Sequence, residues 1–110
     1  MEINIKPYRR VAMVTVNGRV DSATANVFEE TLQGLIQEGN KNLILDMQGV
    51  GFLSSSGLRV LVTIQKSVRQ LGGDVSLAQP SSRTRESLEI AGLDGFFRIH
   101  PDRETAIASY

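Results

Sequence analysis

Apolar residues recur along the chain with two alternating spacings, which predicts strands separated by helices. Residues 10–17 are rich in Val and Thr and are typical of a strand, and residues 42–47 are nearly all apolar. A run of that kind is expected of a central strand covered on both faces. Residues 22–37 and 56–71 carry apolar side chains at helical spacing, which predicts two amphipathic helices.

The rest of the chain continues the alternation. It adds strands at 2–6, 75–78 and 96–99, a helix that opens at 80–82 and ends at Gly92, and a short helix at 102–108. Strands that alternate with helices form mainly parallel sheets covered by helices. We therefore expect one α/β domain over residues 1–110, with a mixed, mostly parallel sheet of four to five strands and four helices.

Short polar residues and glycines mark where the predicted elements begin and end. Gly18 allows a turn after the second strand. Asp21 or Ser22 can then cap the first helix, because a side-chain oxygen there accepts a hydrogen bond from an unpaired first-turn amide. Asp21 also follows a strand, so it can border a binding surface.

Composition excludes several classes of function. Lys and Arg number 12 and Asp and Glu number 12, with no basic stripe, so binding to nucleic acid through clustered cations is not expected. The chain has no cysteine, which excludes disulfides, thiolate metal sites and a cysteine nucleophile. No apolar run approaches the roughly 20 residues of a membrane span. We expect a cytoplasmic protein without a membrane partner.

The catalytic and cofactor patterns that we considered fail on residue identity. A hydrolase nucleophile elbow needs glycine two residues before the serine as well as two after, but Leu53 precedes Ser55 at that spacing. The one histidine, His100, is interpreted as a loop or surface residue. One histidine and no obvious carboxylate cluster make a poor metal site. We predict no catalytic residue, no metal and no cofactor.

The segment from Val50 to Leu58 is the most informative part of the chain. It connects the central strand to the second predicted helix, at the sheet edge where α/β proteins usually meet ligands and partners. Ser54, Ser55 and Ser56 follow one another there. One of these hydroxyls is expected to cap the helix. Another is a candidate phosphorylation site, because free amides and the helix dipole stabilise a phosphoryl group at a helix N-terminus.

Other charged residues permit both a structural and a functional interpretation. Asp46 ends the central strand and is either a buried acid or a carboxylate that accepts loop amides. The two roles are compatible. Four arginines near the end of the chain are interpreted as a solvated face: Arg83, Arg85, Arg98 and Arg103.

Several short motifs follow one another along the chain: Gly18 to Asp21 before the first helix, Leu43 to Met47 in the central strand and Phe52 to Leu58 before the second helix. Gly72-Gly73 and Ala91 to Asp94 with Phe97 come later, so the motifs span nearly the whole chain. In this order and at these spacings they resemble the anti-sigma-factor antagonists, the single-domain members of the STAS group. Phe52 to Leu58 resembles the signature of that family, in which aromatic-Met/Leu-Asp-Ser-Ser/Ala-Gly-Leu is typical.

The resemblance implies a partner switch. In the family, the unphosphorylated antagonist binds an anti-sigma factor that is itself a serine kinase, and a sigma factor is released. The kinase phosphorylates the serine after the signature Asp, the complex separates, and a serine phosphatase resets the switch. Counting back from Gly57, the phosphoacceptor is Ser55.

One position departs from the family pattern, because Ser54 stands where the signature has Asp. Serine also caps helices, so the helix should survive. The lost charge can change kinase recognition or allow Ser54 or Ser56 to be modified. The alternative is a STAS accessory or scaffold subunit of a transport or signalling complex that is never phosphorylated. The residues expected to bind the partner flank one sheet edge: Asp21, Ser22, Ser54, Ser56, Gly57 and Arg59.

Overall fold

The computed structural model describes residues 1–110 as five strands and four helices. The strands are β1 (Glu2–Pro7), β2 (Ala12–Val20), β3 (Asn42–Leu53), β4 (Asp74–Ala78) and β5 (Arg98–His100). The helices are α1 (Ala25–Gln37), α2 (Ser55–Gln70), α3 (Ser82–Ile90) and α4 (Arg103–Ala108). Their number and alternation confirm the predicted architecture.

The strands form one mixed sheet in the order β1-β2-β3-β4-β5. A tight turn, in which the Tyr8 amide donates to Val11 O at 2.8 Å, makes β1 antiparallel to β2. The other neighbours are parallel, and each successive pair is joined by one helix. Parallel strands need such crossovers, which explains why strand order follows chain order.

The two faces of the sheet are covered unequally. On one face, called the three-helix face, 21 buried apolar residues form the main core; they come from β2, β3, β4 and the first three helices, with Phe97 just before β5. The other face, called the α4 face, has a cluster of five buried residues: Val11, Met13, Ile44, Ala78 and Ala106. None of the helices combines the length and apolarity needed to cross a bilayer.

The largest difference from the predicted elements lies where β2 and β3 end. Residues 48–53, expected to form a loop, continue β3 and pair with Asn17 to Val20 of β2. The register between β2 and β3 shifts twice, after Thr15 and after Gly18. The glycine-containing end of β3 therefore pairs with β2 although its side chains do not alternate strictly between the two faces of the sheet. Gly18, expected in a turn, lies inside β2 at a φ of 109° that favours glycine.

The first helix also begins later than predicted, at Ala25. Asp21 Oδ1 accepts hydrogen bonds from the amides of Ala23 and Thr24, at 3.0 and 3.2 Å. Asp21 therefore caps a single turn that precedes α1. The Ala25 amide donates to Asp21 O at 2.8 Å, which continues that turn into the helix.

Candidate functional site

Ser54 is the single residue between β3 and α2, and it fixes the start of the helix. Its backbone is extended, with φ −80° and ψ 174°, and its Oγ accepts from the Gly57 amide at 3.3 Å. Its own amide donates to Val20 O at 2.8 Å. Ser54 is therefore the helix cap that the sequence predicts, and it also ties α2 to the end of β2.

Ser55 is the first residue of α2 and is exposed to solvent. Its hydroxyl makes no hydrogen bond within the chain, and the amides of Ser55 and Ser56, at the first two positions of the helix, have no acceptor within it. Free first-turn amides at the positive end of a helix dipole favour a bound anion. Ser56 is half-buried, so Ser55 is the most accessible of the three hydroxyls.

Gly57 lies beneath this surface. A methyl group in place of its hydrogen would come within 2.5 Å of Leu53 Cδ1 and 2.8 Å of Val20 Cγ1, and both of those side chains are buried. Only glycine lets the first turn of α2 lie directly against the ends of β2 and β3. The structure thus gives Gly57 a packing role that positions Ser55.

Asp21 and Ser22 follow β2 on the other side of this junction. Burial acts to raise the pKa of the Asp21 carboxyl, but hydrogen bonds from Ala23 and Thr24 and the nearby Arg19 guanidinium hold that pKa below its usual value. Asp21 is therefore charged at neutral pH. Ser22 is exposed in the turn that Asp21 caps.

Two further residues complete the surface, and sequence reasoning did not assign them to it. Arg19 and Phe52 are register partners across β2 and β3, with the Arg19 guanidinium carbon 4.5 Å from the ring centre. Arg19 Nε also lies 3.6 Å from Asp21 Oδ2. The aromatic residue of the signature was the available signal. A predicted loop over residues 50–53 gives no reason to expect strand pairing, so the contact of Phe52 with Arg19 does not follow from the sequence.

Arg59 is exposed one helical turn after Ser55, at the spacing that makes side chains neighbours on a helix surface. It forms no ion pair with a carboxylate. Together with the residues already described it defines a surface that we call the Ser55 edge: Arg19, Asp21, Ser22, Phe52, Ser54, Ser55, Ser56 and Arg59. Gly57, also expected to line this surface, is buried beneath it.

His100 ends β5 and is remote in the sheet order from the β2–β3 junction. Its Nε2 lies 3.4 Å from Ser109 Oγ. Burial and the Arg98 charge lower the pKa of His100, and Asp102 opposes that shift. No cluster of three or more His, Cys, Asp or Glu side chains that suits a metal ion is present.

The Asp46 carboxyl is buried, as expected, but the backbone amide that donates to it belongs to Gln48 inside β3, not to a loop. It is 4% exposed and accepts hydrogen bonds from the Gln48 amide at 3.2 Å and from Gln79 Nε2 at 3.3 Å. Arg103 Nε lies 3.6 Å from its other oxygen, and Arg98 Nε lies 2.9 Å from Asp74. Both arginines remain partly exposed, as predicted, with 43% of the Arg98 side chain and 39% of the Arg103 side chain accessible, and each also pairs with a carboxylate of β4 or β3.

Comparison with known proteins is consistent across sequence and fold. The family model described as the STAS domain matches residues 2–106. BtrV of Bordetella bronchiseptica is 29% identical over 110 residues, which cover 100% of this chain and 95% of BtrV. The anti-sigma-F factor antagonist RsfB of Mycobacterium tuberculosis is 27% identical over 97 residues, covering 88% of this chain and 79% of RsfB.

Solved structures share the fold at lower identity. An anti-sigma factor antagonist from Mycobacterium paratuberculosis superposes with a TM-score of 0.89 at 24% identity, over 98% of this chain and 92% of that one. The Bacillus cell fate determinant SpoIIAA, solved in a phosphorylated form, gives a TM-score of 0.79 at 19% identity, over 98% of each chain.

Proposed function

This chain belongs to the STAS domain family, and we propose that it is an anti-sigma factor antagonist switched at the Ser55 hydroxyl. In the unphosphorylated state it binds an anti-sigma factor that is also a serine kinase, and a sigma factor is released. Phosphorylation of Ser55 separates the complex, and a serine phosphatase restores the hydroxyl. The chain itself acts as a cytoplasmic binding module, not as an enzyme.

The observation that carries the proposal is the position of Ser55. It is exposed, unbonded and first in α2, while its neighbour Ser54 is already used as the cap. The names of relatives supply the partner class, since RsfB is described as an antagonist of an anti-sigma-F factor. A structure of SpoIIAA in a phosphorylated form is described for the same fold.

Phosphoryl transfer to Ser55 needs no catalytic group from this chain. Ser55 Oγ attacks the terminal phosphorus of ATP, an Oγ–P bond forms, and the bond from that phosphorus to ADP breaks. The hydroxyl proton passes to a carboxylate of the kinase, and the kinase also supplies the metal ion. Ser55 therefore needs no internal base, in keeping with the absence of a hydrogen-bond partner for its hydroxyl.

The free domain is suited to carry the modified serine. Phosphorylation adds roughly 1.5 to 2 negative charges, and at this position they meet the free amides of Ser55 and Ser56 and surrounding water. Arg59, one turn further along the helix, supplies an exposed cation at neighbouring spacing. The fold is therefore expected to change little on phosphorylation.

In the complex the same charge is unfavourable. A partner that covers Ser55 removes water from the phosphoryl group, and an uncompensated buried charge costs several kcal/mol. A loss of only about 2.8 kcal/mol weakens binding roughly a hundredfold. The switch thus acts on the interface and leaves the domain folded.

The first experiment compares binding by the parent, Ser55→Ala, Ser55→Asp and a matched control, Ser82→Asp. Ser82 is exposed and first in α3, behind the cap Ser81, whose Oγ accepts from the Thr84 amide at 3.1 Å. The proteins captured from the native host are identified by mass spectrometry, and the captured anti-sigma factor is then titrated by calorimetry. Ser55→Asp should bind at least a hundredfold more weakly, while Ser82→Asp and Ser55→Ala bind like the parent. Equal binding by Ser55→Asp and the parent would refute the switch.

The second experiment locates the modified oxygen. The parent is incubated with the captured kinase and ATP, and its intact mass should rise by one phosphoryl group. Ser55→Ala should remain unmodified, whereas Ser54→Ala and Ser56→Ala should still accept the group. Modification that persists in Ser55→Ala and disappears in another serine variant would reassign the acceptor.

One feature of α2 favours a second candidate function. The first turn of α2 contains no acidic residue, so the charge that the family signature places beside the acceptor is missing here. A STAS accessory or scaffold subunit would use the Ser55 edge without modification. Partner capture together with an unchanged intact mass after kinase treatment would select that function.

A further inference from the structure

Two adjoining cavities open at the amino-terminal edge of the sheet, at the opposite end of β3 from Ser55. One, of about 290 Å³, lies between the β1–β2 turn and α4. The other, of about 200 Å³, lies between the same turn and the connection from α1 to β3. They share Arg9, Arg10 and Val11 as walls, so we treat them as one feature, called the amphipathic cleft.

The polar part of the cleft gathers cations that have no partner. Arg9, Arg10 and Lys41 line it and are exposed, and none of them forms an ion pair. No side-chain carboxylate lines either cavity. The four ion pairs of the molecule all involve other residues, so these three cations are free to meet an anionic ligand.

The backbone that carries these cations is held in place. The Tyr8 amide donates to Val11 O at 2.8 Å and closes the turn that presents Arg9 and Arg10. Asn42 Nδ2 donates to Arg10 O at 3.3 Å and so fixes that turn against the start of β3. A binding group held by an ordered backbone loses less entropy when a ligand arrives.

The other part of the cleft is apolar. Tyr8, Ile107 and Tyr110 form its walls and pack against the buried cluster of the α4 face. The Tyr110 hydroxyl donates to Leu43 O and Asp74 O, at 3.0 and 2.9 Å, and these hydrogen bonds fix the position of the ring. The ring walls and the Ile107 side chain offer a surface suited to hydrocarbon.

We propose that the amphipathic cleft binds a small amphipathic anion. A carboxylate or phosphate head would lie against Arg9, Arg10 and Lys41, and a short aliphatic chain against Tyr8, Ile107 and Tyr110. The apolar cavity, at about 290 Å³, lies just below the range of roughly 300–1,000 Å³ for small-molecule sites, which favours a short chain. This site goes beyond the proposed switch and does not depend on it.

Calorimetric titration of the full chain tests both halves of the ligand. The probes are sodium octanoate, octyl phosphate, octanol and inorganic phosphate, each below any concentration at which it aggregates. The two amphipathic anions should bind saturably, and whichever head binds more tightly identifies the preferred anion. Octanol and inorganic phosphate should each bind at least tenfold more weakly. Saturable binding of neither amphipathic anion up to 1 mM, an order-of-magnitude limit for such sites, would overturn the proposal.

Paired variants then assign the binding to these residues. Arg9→Gln with Arg10→Gln should weaken the tighter probe at least about tenfold, because charge-assisted hydrogen bonds are lost. Arg83→Gln with Arg85→Gln removes two exposed arginines from α3 and should bind like the parent. The same melting temperature for both double variants shows that they are folded. Equal weakening by the two pairs would mean non-specific charge attraction and would refute the site.

A chain-length series tests the apolar half without any substitution. Hexanoate, octanoate and decanoate share one head, and each methylene that becomes buried tightens binding by up to about fourfold. Affinity should rise with length and level off once the cavity is full. Affinity independent of chain length would contradict the proposal, because it would place the chain outside the apolar cavity.

Discussion

The two faces of the sheet are held by different kinds of interaction. The three-helix face buries 21 apolar residues in one cluster, whereas the α4 face buries five and is fastened by polar groups. Those groups include the Asp46–Arg103 pair and the Tyr110 hydroxyl. Apolar burial scales with area and has no direction, while hydrogen bonds fix geometry and add little net stability. The three-helix face therefore supplies most of the stability, whereas the polar groups of the α4 face fix the position of α4.

The largest expected effect comes from truncating the main core. Leu32→Ala in α1 removes a fully buried side chain and should lower the free energy of unfolding by about 2–5 kcal/mol. Ile107→Ala in α4 removes a half-buried side chain and should cost less than half as much. Urea denaturation of both variants measures the contrast. Equal losses would show that the α4 face is as important for stability as the main core.

A buried polar residue on the three-helix face tests whether hydrogen bonds also stabilise that face. Gln65 of α2 is fully buried; its Oε1 accepts from the Val75 amide at 2.7 Å and its Nε2 donates to Val75 O at 3.1 Å. Gln65→Leu keeps the apolar bulk but leaves backbone groups unpaired, so it should cost about 1–3 kcal/mol. Chemical denaturation reports the loss. A variant as stable as the parent would mean that water replaces the amide.

Tyr110 tests how much hydrogen bonds stabilise the α4 face. Burial is the main cause that raises the pKa of its phenol above 10.0, so the folded state holds this proton more tightly than the unfolded state does. Its stabilising contribution is present below pH 10.0 and is lost as pH rises through the raised pKa. Tyr110→Phe should lower stability by about 1 kcal/mol at neutral pH.

The pH profile separates that contribution from other titrating groups. Stability of the parent should fall faster than that of Tyr110→Phe between about pH 9 and 11, so that the difference between the two narrows. Urea denaturation across that range measures both curves. Parallel curves would show that the phenol does not titrate differently in the folded state.

The smallest effects are expected at the Ser55 edge. Ser54→Ala removes the α2 cap, whose hydrogen bond is long at 3.3 Å, and should cost about 0.5–1 kcal/mol. Ser55→Ala removes an exposed, unbonded hydroxyl and should stay within about 0.5 kcal/mol of the parent. Thermal unfolding of both variants checks the order. A reversed order would mean that Ser55, not Ser54, stabilises the start of the helix.

Features that depend on neighbours along the chain could be predicted from the amino-acid sequence alone. Helical spacing located α1 and α2 within a few residues, and an apolar run located the start of β3. The serine before α2 was identified as its cap because capping joins residues three apart. The candidate acceptor Ser55 followed from the order of the signature residues.

Features that depend on residues far apart in sequence could be seen only in the folded chain. The far half of β3 is a strand because it pairs with β2 through an irregular register, which alternation alone does not predict. The hydroxyl of Tyr110 meets a carbonyl 67 positions away, and Lys41 comes to share a cavity with Arg9 through the pairing of β2 with β3. Local periodicity carries no information about such contacts, because their free energy appears only once the strands are aligned.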